Sequence, residues 1–539
     1  VSDGTYRRPG VYLEERLQQQ PTQSGSATAV GVFAGVTPKG PPLEATAVAS
    51  WSDFVAKFGG FDQVNVTDGG NDSVLVSYLP YAVFNYYQNG GRLAYIVRVI
   101  PTTAQGAVAT VQTDDGATTP VDSFVINANG VGTWANAADG GLSVAIAHQA
   151  TSPAPESATI MTLQVLQGAD GRVLETFTNL SMTGVQGTRA IVPAINDPVS
   201  GSRYIELVAA ASPTAPAPAA AVYDLAGGVD PGTPTGSDLC GQDVTDAMRQ
   251  IDSPLVVSFQ PYRKQDGTIV MPQASSGVEA ALNSNGRTDC FLVWDGNPEA
   301  NITGTYTADI EALAASIGTA DSYSAVYAPW VVTPDPAHAG ATITVPPSGS
   351  VQGMIARIDA TVGPWRTPAG LPAVLSTAVK AEVKFTDTDQ GELNAKNINV
   401  IRAVPGSGIC VMGGRTRKLY GPDRYVAARR TLIYIEEALK LNTQWAVFEN
   451  NDSRLWSSLR NTAQNILQPV WEANGLAGAT AAEAYYVRCD ATINTPQVVQ
   501  SGEVRMEVGV ALQYPAEFIV IRVSQFDSGV SLANEIVAA

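Results

Sequence analysis

Between residues 101 and 233 the texture of the chain changes. That stretch holds no lysine, three arginines (Arg172, Arg189, Arg203) and eleven acidic residues. It is rich in Thr, Ala and Gly, with short alternating runs at 142–147, 159–165 and 203–208 set between turn signals. Period-two alternation with closely spaced turns predicts an antiparallel β-sandwich or barrel. The flanks read differently. Upstream, the pattern predicts a strand over 27–36 and a short helix opened by Ser50 and Asp53 and closed by Gly59-Gly60. A helix over 73–88 with Pro80 inside it and a buried strand over 93–100 follow. Downstream, predicted helices (242–251, 277–283, 308–317) alternate with predicted strands (255–260, 290–294, 324–332). That alternation is α/β grammar. The two flanks are expected to share one sheet, with 101–233 inserted into it.

The C-terminal third is patterned most sharply. A helix is expected over 429–441, with Leu432, Ile435 and Leu439 on one face and a Glu436–Lys440 pair on the other. Asp452 caps a longer helix whose stripe runs Leu455, Leu459, Ala463, Ile466, Val470. Pro469 is expected to kink it and Asn474-Gly475 to end it. Val504, Met506, Val508, Val510 and Leu512 alternate with polar or small residues, the mark of a half-buried strand. Residues 517–524, with Phe518 and Val520, form a near-continuous apolar run expected to be a central strand. The ends look like arms: 10–15 is β-prone and leads into a polar linker at 18–25, and 530–532 alternates after a loose 527–529.

The expected fold class is therefore α+β or α/β and multidomain, with mixed sheets, flanking helices, one inserted all-β domain and extended arms at both ends. Expected boundaries are 1–26 (arm), 27–100 plus 234–370 (middle domain), 101–233 (insertion), 371–526 (C-terminal core) and 527–539 (arm). A chain of 539 residues has room for about three or four domains.

Composition removes several function classes. The net charge of −18 opposes a nucleic-acid groove, which gains affinity by neutralising phosphates. Two histidines, His148 and His338, cannot supply a His-based zinc site and leave little for a Ser-His-Asp apparatus. The four cysteines (Cys240, Cys290, Cys410, Cys489) form no C-x-x-C pair and read as reduced core thiols. Neither a phosphate loop nor a dinucleotide fingerprint occurs. Residues 387–392 have a faint calcium-loop look but lack its third carboxylate and its Glu at position twelve, so an acidic surface turn is expected. No catalytic, metal or cofactor residue is assigned. Residues 1–10 show no secretion signal, and no apolar run is long enough to insert in a membrane. Arg415, Arg417, Lys418, Arg424, Arg429 and Arg430 cluster with only Asp423 among them. They are either a solvated face with internal ion pairs or a contact surface for an acidic partner, such as another copy.

Several segments together carry a family resemblance. Pro9-Gly10-Val11-Tyr12-Leu13-Glu14-Glu15 opens the series, followed by Gly35-Val36-Thr37-Pro38-Lys39-Gly40-Pro41 and Asn89-Gly90-Gly91-Arg92. Gly132-Thr133-Trp134-Ala135-Asn136 lies in the insertion. Then come Val345-Pro346-Pro347-Ser348-Gly349, Gly363-Pro364-Trp365-Arg366-Thr367-Pro368, Arg429-Arg430-Thr431-Leu432-Ile433-Tyr434 and Trp445-Ala446-Val447-Phe448-Glu449-Asn450-Asn451-Asp452. In their order and spacing these resemble contractile tail sheath proteins from end to end, most weakly over 101–233 and 371–390.

The resemblance implies a structural, non-enzymatic subunit that stacks as six-membered rings around an inner tube and contracts to drive the tube through a cell envelope. The implied partners are other copies, the inner tail tube protein, and baseplate and tail terminator proteins, with no nucleic acid. The implied location is a virion tail assembled in the host cytoplasm; a bacteriocin or other extracellular injection particle is the alternative. An α/β hydrolytic enzyme with a β insertion and a secreted surface-layer or adhesion protein are the rivals from other classes. Val11, Tyr12, Leu13, Glu14, Val530, Ser531 and Leu532 are then expected to pair as strands with other subunits, completing sheets that include Val508, Val510, Phe518 and Val520. The basic cluster above, with Arg454, Arg460 and Glu472 of the long helix, becomes the candidate set of tube-facing or inter-subunit charges.

Overall fold

The computed structural model describes residues 30–517, apart from 69–70, 101–104, 113–121, 149–159, 169–170, 185–186, 198–199, 210–217, 230–231, 274–277, 285–286, 303 and 318–320. Both arms, and with them Phe518 and Val520, lie outside the described residues.

An eight-stranded sheet forms the centre. Its strands in chain order are β1 (Val30–Gly35), β2 (Thr46–Val48), β3 (Ala94–Arg98), β4 (Leu255–Phe259), β5 (Cys290–Asp295), β6 (Ser324–Ala328), β7 (Ile398–Val404) and β8 (Gly408–Val411). They lie in the order β2-β3-β1-β4-β5-β6-β7-β8. The six inner strands are parallel and the two edges antiparallel. Strands buried on both faces need near-continuous apolar runs, and β4 (LVVSF) and β5 (CFLVWD) are buried at every position. Alternate residues serve opposite cores. Leu255, Val257, Leu292 and Val326 pack in one cluster with Val244 and Met248. Val256, Phe291, Val293 and Tyr327 pack in another with Val351, Met354 and Ile355.

The two flanks share this sheet, as expected. The sheet also continues past residue 370, because β7 pairs in parallel with β6, Val326 opposite Ile398. A boundary at 370/371 therefore cuts through one sheet. The domain that follows the sheet consists of helices and a small strand pair described below.

Helix α1 (Trp51–Phe58) starts as the local signal indicates: Ser50 Oγ accepts from the Asp53 amide at 3.2 Å, and Gly59 closes the helix in the left-handed region. The expected helix over 73–88 is corrected. Residues Asn71–Ser77 form a strand paired with Val64–Asp68, and only Leu79–Gln88 is helical (α2). Pro80 sits in the first turn of α2, where its missing amide costs nothing.

Helix α3 (Ser348–Thr361) crosses α2 at very close range. A Cβ on Gly349 would stand 2.3 Å from the Ala82 carbonyl oxygen, and one on Gly353 2.4 Å from that of Tyr86. The two glycines therefore set the interhelical distance. Gly349→Ala is expected to destabilise the protein by about 1–3 kcal/mol through overpacking, although alanine is the better helix former. A thermal melt of the variant at or above wild type would contradict this.

The insertion is two sheets, antiparallel except where the short strand Arg189–Ala190 runs parallel to its neighbour Arg172–Ser181. One orders Arg189–Ala190, Arg172–Ser181, Met161–Gln167, Leu142–His148 and Val222–Asp224; the other orders Ile205–Ala209, Asp122–Ala128 and Val108–Gln112. Val111, Phe124 and Ile126 of the second meet Val144, Leu163 and Val165 of the first in one core. Arg98, at the end of β3 and 1% exposed, ties the insertion to the sheet. Its Nε donates to the Thr37 carbonyl at 3.0 Å, and Nη1 donates to those of Gly40 at 2.9 Å and Val131 at 3.0 Å.

Candidate functional site

The C-terminal unit is built on α4 (Val426–Thr443) and α5 (Ser453–Glu472). Asp452 Oδ1 caps α5 by accepting from the amides of Arg454 at 2.8 Å and Leu455 at 3.0 Å. The predicted stripe of α5 is buried throughout (Leu455, Leu459, Ala463, Ile466, Val470), joined by Leu467. Each large aliphatic side chain so buried contributes about 1.5–3 kcal/mol. On α4 Ile435 is buried as expected, with Ile433 and Ala438, while Leu432 and Leu439 are partly buried. The expected Glu436–Lys440 pair does not form. Lys440 Nζ sits 3.2 Å from Glu437, while Glu436 accepts from Thr288 Oγ1 at 3.0 Å.

Against these helices lie β9 (Tyr485–Arg488) and β10 (Glu507–Val510), antiparallel, with Val487 opposite Val508 and Tyr485 opposite Val510. Val487, Val508 and Val510 pack toward Ile435, Leu467 and Val470. The other face carries Arg488 and Glu507, ion-paired at 2.7 Å in water. Among the described residues neither strand has a second neighbour. A two-stranded sheet is marginal alone, and each outer edge presents backbone donors and acceptors that another strand can satisfy.

The basic cluster is placed mostly inside the molecule. Arg415, 5% exposed, grips Glu517 through Nε and Nη2 and donates from Nη1 to the Asn394 carbonyl. Arg417 pairs with Glu279 at 3.1 Å, both side chains buried. Lys418 and Arg429 share Asp423 at 2.7 and 2.6 Å, and Arg429 lies 4.4 Å from the Tyr323 ring centroid. Arg430 and Asp359 form a two-pronged buried pair. Arg424 reaches Asn397 at 3.3 Å. These side chains are thus engaged by their own chain, as the internal-ion-pair reading of the cluster has it. Of the three charges assigned to α5, Arg454 and Glu472 are exposed, while Arg460 is half-buried with Nη1 on the Cys489 carbonyl.

Partial burial pushes the Asp423 carboxyl up, but hydrogen bonds from Lys418, Ser322 and Arg429 outweigh it and hold the group well below the usual range. Elsewhere burial wins. Glu279 is pushed up to about 7 by desolvation, with the Ser324 hydrogen bond and the Arg417 charge opposing and Asp321 reinforcing. Asp295, at the end of β5, is also pushed up to about 7 by burial. Its Oδ1 accepts from the Ser348 amide at 2.7 Å, and its Oδ2 has no hydrogen-bond partner among the described residues. A carboxyl raised in the fold binds its proton more tightly native than unfolded. The stability this group contributes is then fully present below the unfolded value of 3.8 and is lost as pH rises through about 7. Asp295→Asn stands in for the protonated form. It should narrow the fall in Tm between about pH 5.5 and pH 8; an unchanged pH profile would contradict the assignment.

Among the described residues no group of three or more His, Cys, Asp or Glu is placed to hold a metal. His148 meets the Pro218 carbonyl and His338 meets Asp335, and the four cysteines are buried and form no disulfide among the described residues. Residues 387–392 open a helix, Asp387–Ala395, with Thr386 and Asp389 in a capping box. No described helix is long and apolar enough to cross a membrane.

Residues 423–526 match the phage tail sheath C-terminal domain. The whole chain is similar to a chain of the anti-feeding prophage baseplate (TM-score 0.54, 21% identity, 97% of this chain and 100% of that one). It is also similar to the contracted sheath complex of PVC, an extracellular contractile injection system (0.52, 21%, 97% and 99%). A third likeness is to the sheath tail protein Lin1278 of Listeria innocua (0.55, 11%, 91% and 96%). No curated protein sequence matches. The resemblance read from the ordered motifs is borne out, and the fold is a sheath fold over nearly its full length.

Proposed function

We propose that this chain is the structural subunit of a contractile sheath. It polymerises as stacked six-membered rings around an inner tube and shortens to drive that tube through a target envelope. The observation that carries the reading is the full-length likeness to sheath chains, centred on a C-terminal unit whose strand pair has unfilled edges among the described residues. A donated strand gains about 0.5–1.5 kcal/mol per hydrogen bond. Strands 11–14 and 530–532 of other copies are the proposed donors, with Val508 and Val510 on the receiving sheet and Phe518 and Val520 in the strand that extends it. Head-to-tail contacts of this kind generate rings and helical filaments. Inner tube, baseplate and terminator proteins are the further partners proposed, with Arg454 and Glu472 the exposed α5 charges that would meet them.

A phage tail is one setting. The likeness to the anti-feeding prophage and PVC particles favours the second, an extracellular injection particle. Negative-stain electron microscopy of purified protein tests the function itself. Hollow striated tubes support it. Discrete globules at every concentration, or flat lattices, would overturn it.

A further inference from the structure

We propose that copies of this chain also dock through an aromatic knob at one end of α5 and a socket at the other, a contact that rests on the sheath reading and adds a second link to the strand exchange. The knob is the loop between α4 and α5. There Val447 is 66% exposed and Phe448 fully exposed. Phe448 is held at φ +69°, a left-handed backbone that bulky residues rarely adopt and that concentrates at functional positions. Presenting a phenylalanine to water on strained backbone is unfavourable twice over, and covering the ring offsets both costs. Glu449 follows it, exposed and without an ion-pair partner among the described residues.

The socket is a groove of about 810 Å³. Trp365, Met412 and Pro515 give it apolar walls; Arg366 also lines it, exposed and likewise without an ion-pair partner among the described residues, while the Glu517 carboxylate there is taken up by Arg415. Ala473 and Asn474, just past the end of α5, also line it. Knob and socket therefore sit at opposite ends of a 20-residue helix, about 30 Å apart at about 1.5 Å per residue. The socket of one copy is out of reach of its own knob. Phe448 and Glu449 of one copy are complementary, in apolar surface and in charge, to the groove and Arg366 of the next. A contact between two different patches of the same chain is head-to-tail and propagates, and the charge pair fixes its register.

Four full-length variants test it: Phe448→Gly, Glu449→Arg, Arg366→Glu, and the Glu449→Arg/Arg366→Glu double, compared by tube formation and by melting of the dispersed protein. Glycine accepts φ +69° without strain, so Phe448→Gly should melt at or above wild type. It should nonetheless raise the concentration needed for tubes about tenfold or more, as loss of an interface anchor does. Each charge reversal should impair tubes, and the double should restore them. Normal tubes from Phe448→Gly would overturn the contact, as would a double that fails to rescue; either result would leave the groove to the chain's own residues 518–526 or to a tube protein. Wild-type protein that forms no tubes would instead overturn the sheath reading and this contact with it.

Discussion

Replacing Arg430 with methionine is expected to lower the unfolding free energy by about 3–5 kcal/mol, the usual result of stripping one partner from a buried ion pair. Arg430 on α4 and Asp359 on α3 are each 3% exposed, and the pair is two-pronged, with Nη1 to Oδ1 at 2.7 Å. Without the guanidinium the Asp359 carboxylate stays buried with no counter-charge. The pair also staples α4 to the helix that closes one face of the central sheet, so its loss loosens the C-terminal unit from the body. Removing both charges together is a different matter. Arg430→Met/Asp359→Leu should recover most of the loss, because apolar replacement of a whole buried pair is often near neutral. Denaturant unfolding followed by tryptophan fluorescence measures both. A single variant within about 1 kcal/mol of wild type would mean the pair is solvated and the helix junction is held otherwise.

The second large effect concerns the arms. Deleting residues 1–26, or residues 527–539, is expected to abolish polymerisation while leaving the melting of the body unchanged. The strand pair β9–β10 has its inner face covered by α4 and α5, so it survives without added strands. What the deletion removes is the link between copies. A four-residue donated strand makes only a few hydrogen bonds, each a net ~0.5–1.5 kcal/mol, but the link repeats at every subunit. Sedimentation velocity reads the assembly and circular dichroism the body. Tubes that still form without either arm would refute the strand-exchange account.

What was legible in the sequence was what is local or periodic. The Ser50 and Asp53 start of α1, the Asp452 cap, the α5 stripe and the alternation that contains β10 each depend on neighbours within a turn or a strand. The strand at Asn71–Ser77 was hidden because Pro80 reads equally as a helix interior or a helix start, and the Tyr- and Leu-rich run past it drew the helix backward. The continuity of the sheet through β7 was hidden because it depends on pairing with β6, some 70 residues earlier. The fate of the basic cluster was the least legible. The acids that engage Arg417, Arg415 and Arg430 lie 138, 102 and 71 residues away, so the local charge pattern showed only Asp423, the partner of Lys418 and Arg429. Nor did the pattern mark Phe448, which reads as an ordinary apolar residue until its exposure and backbone are known.

The central claim is that this fold works as a polymer whose copies complete one another's small sheet. A cryo-electron microscopy map of the assembled protein tests it most directly. Additional strands are expected beside β9 and β10, with density that traces to residues 11–14 and 530–532 of neighbouring subunits. Outer edges filled only by the same subunit, or left bare in an intact polymer, would contradict it.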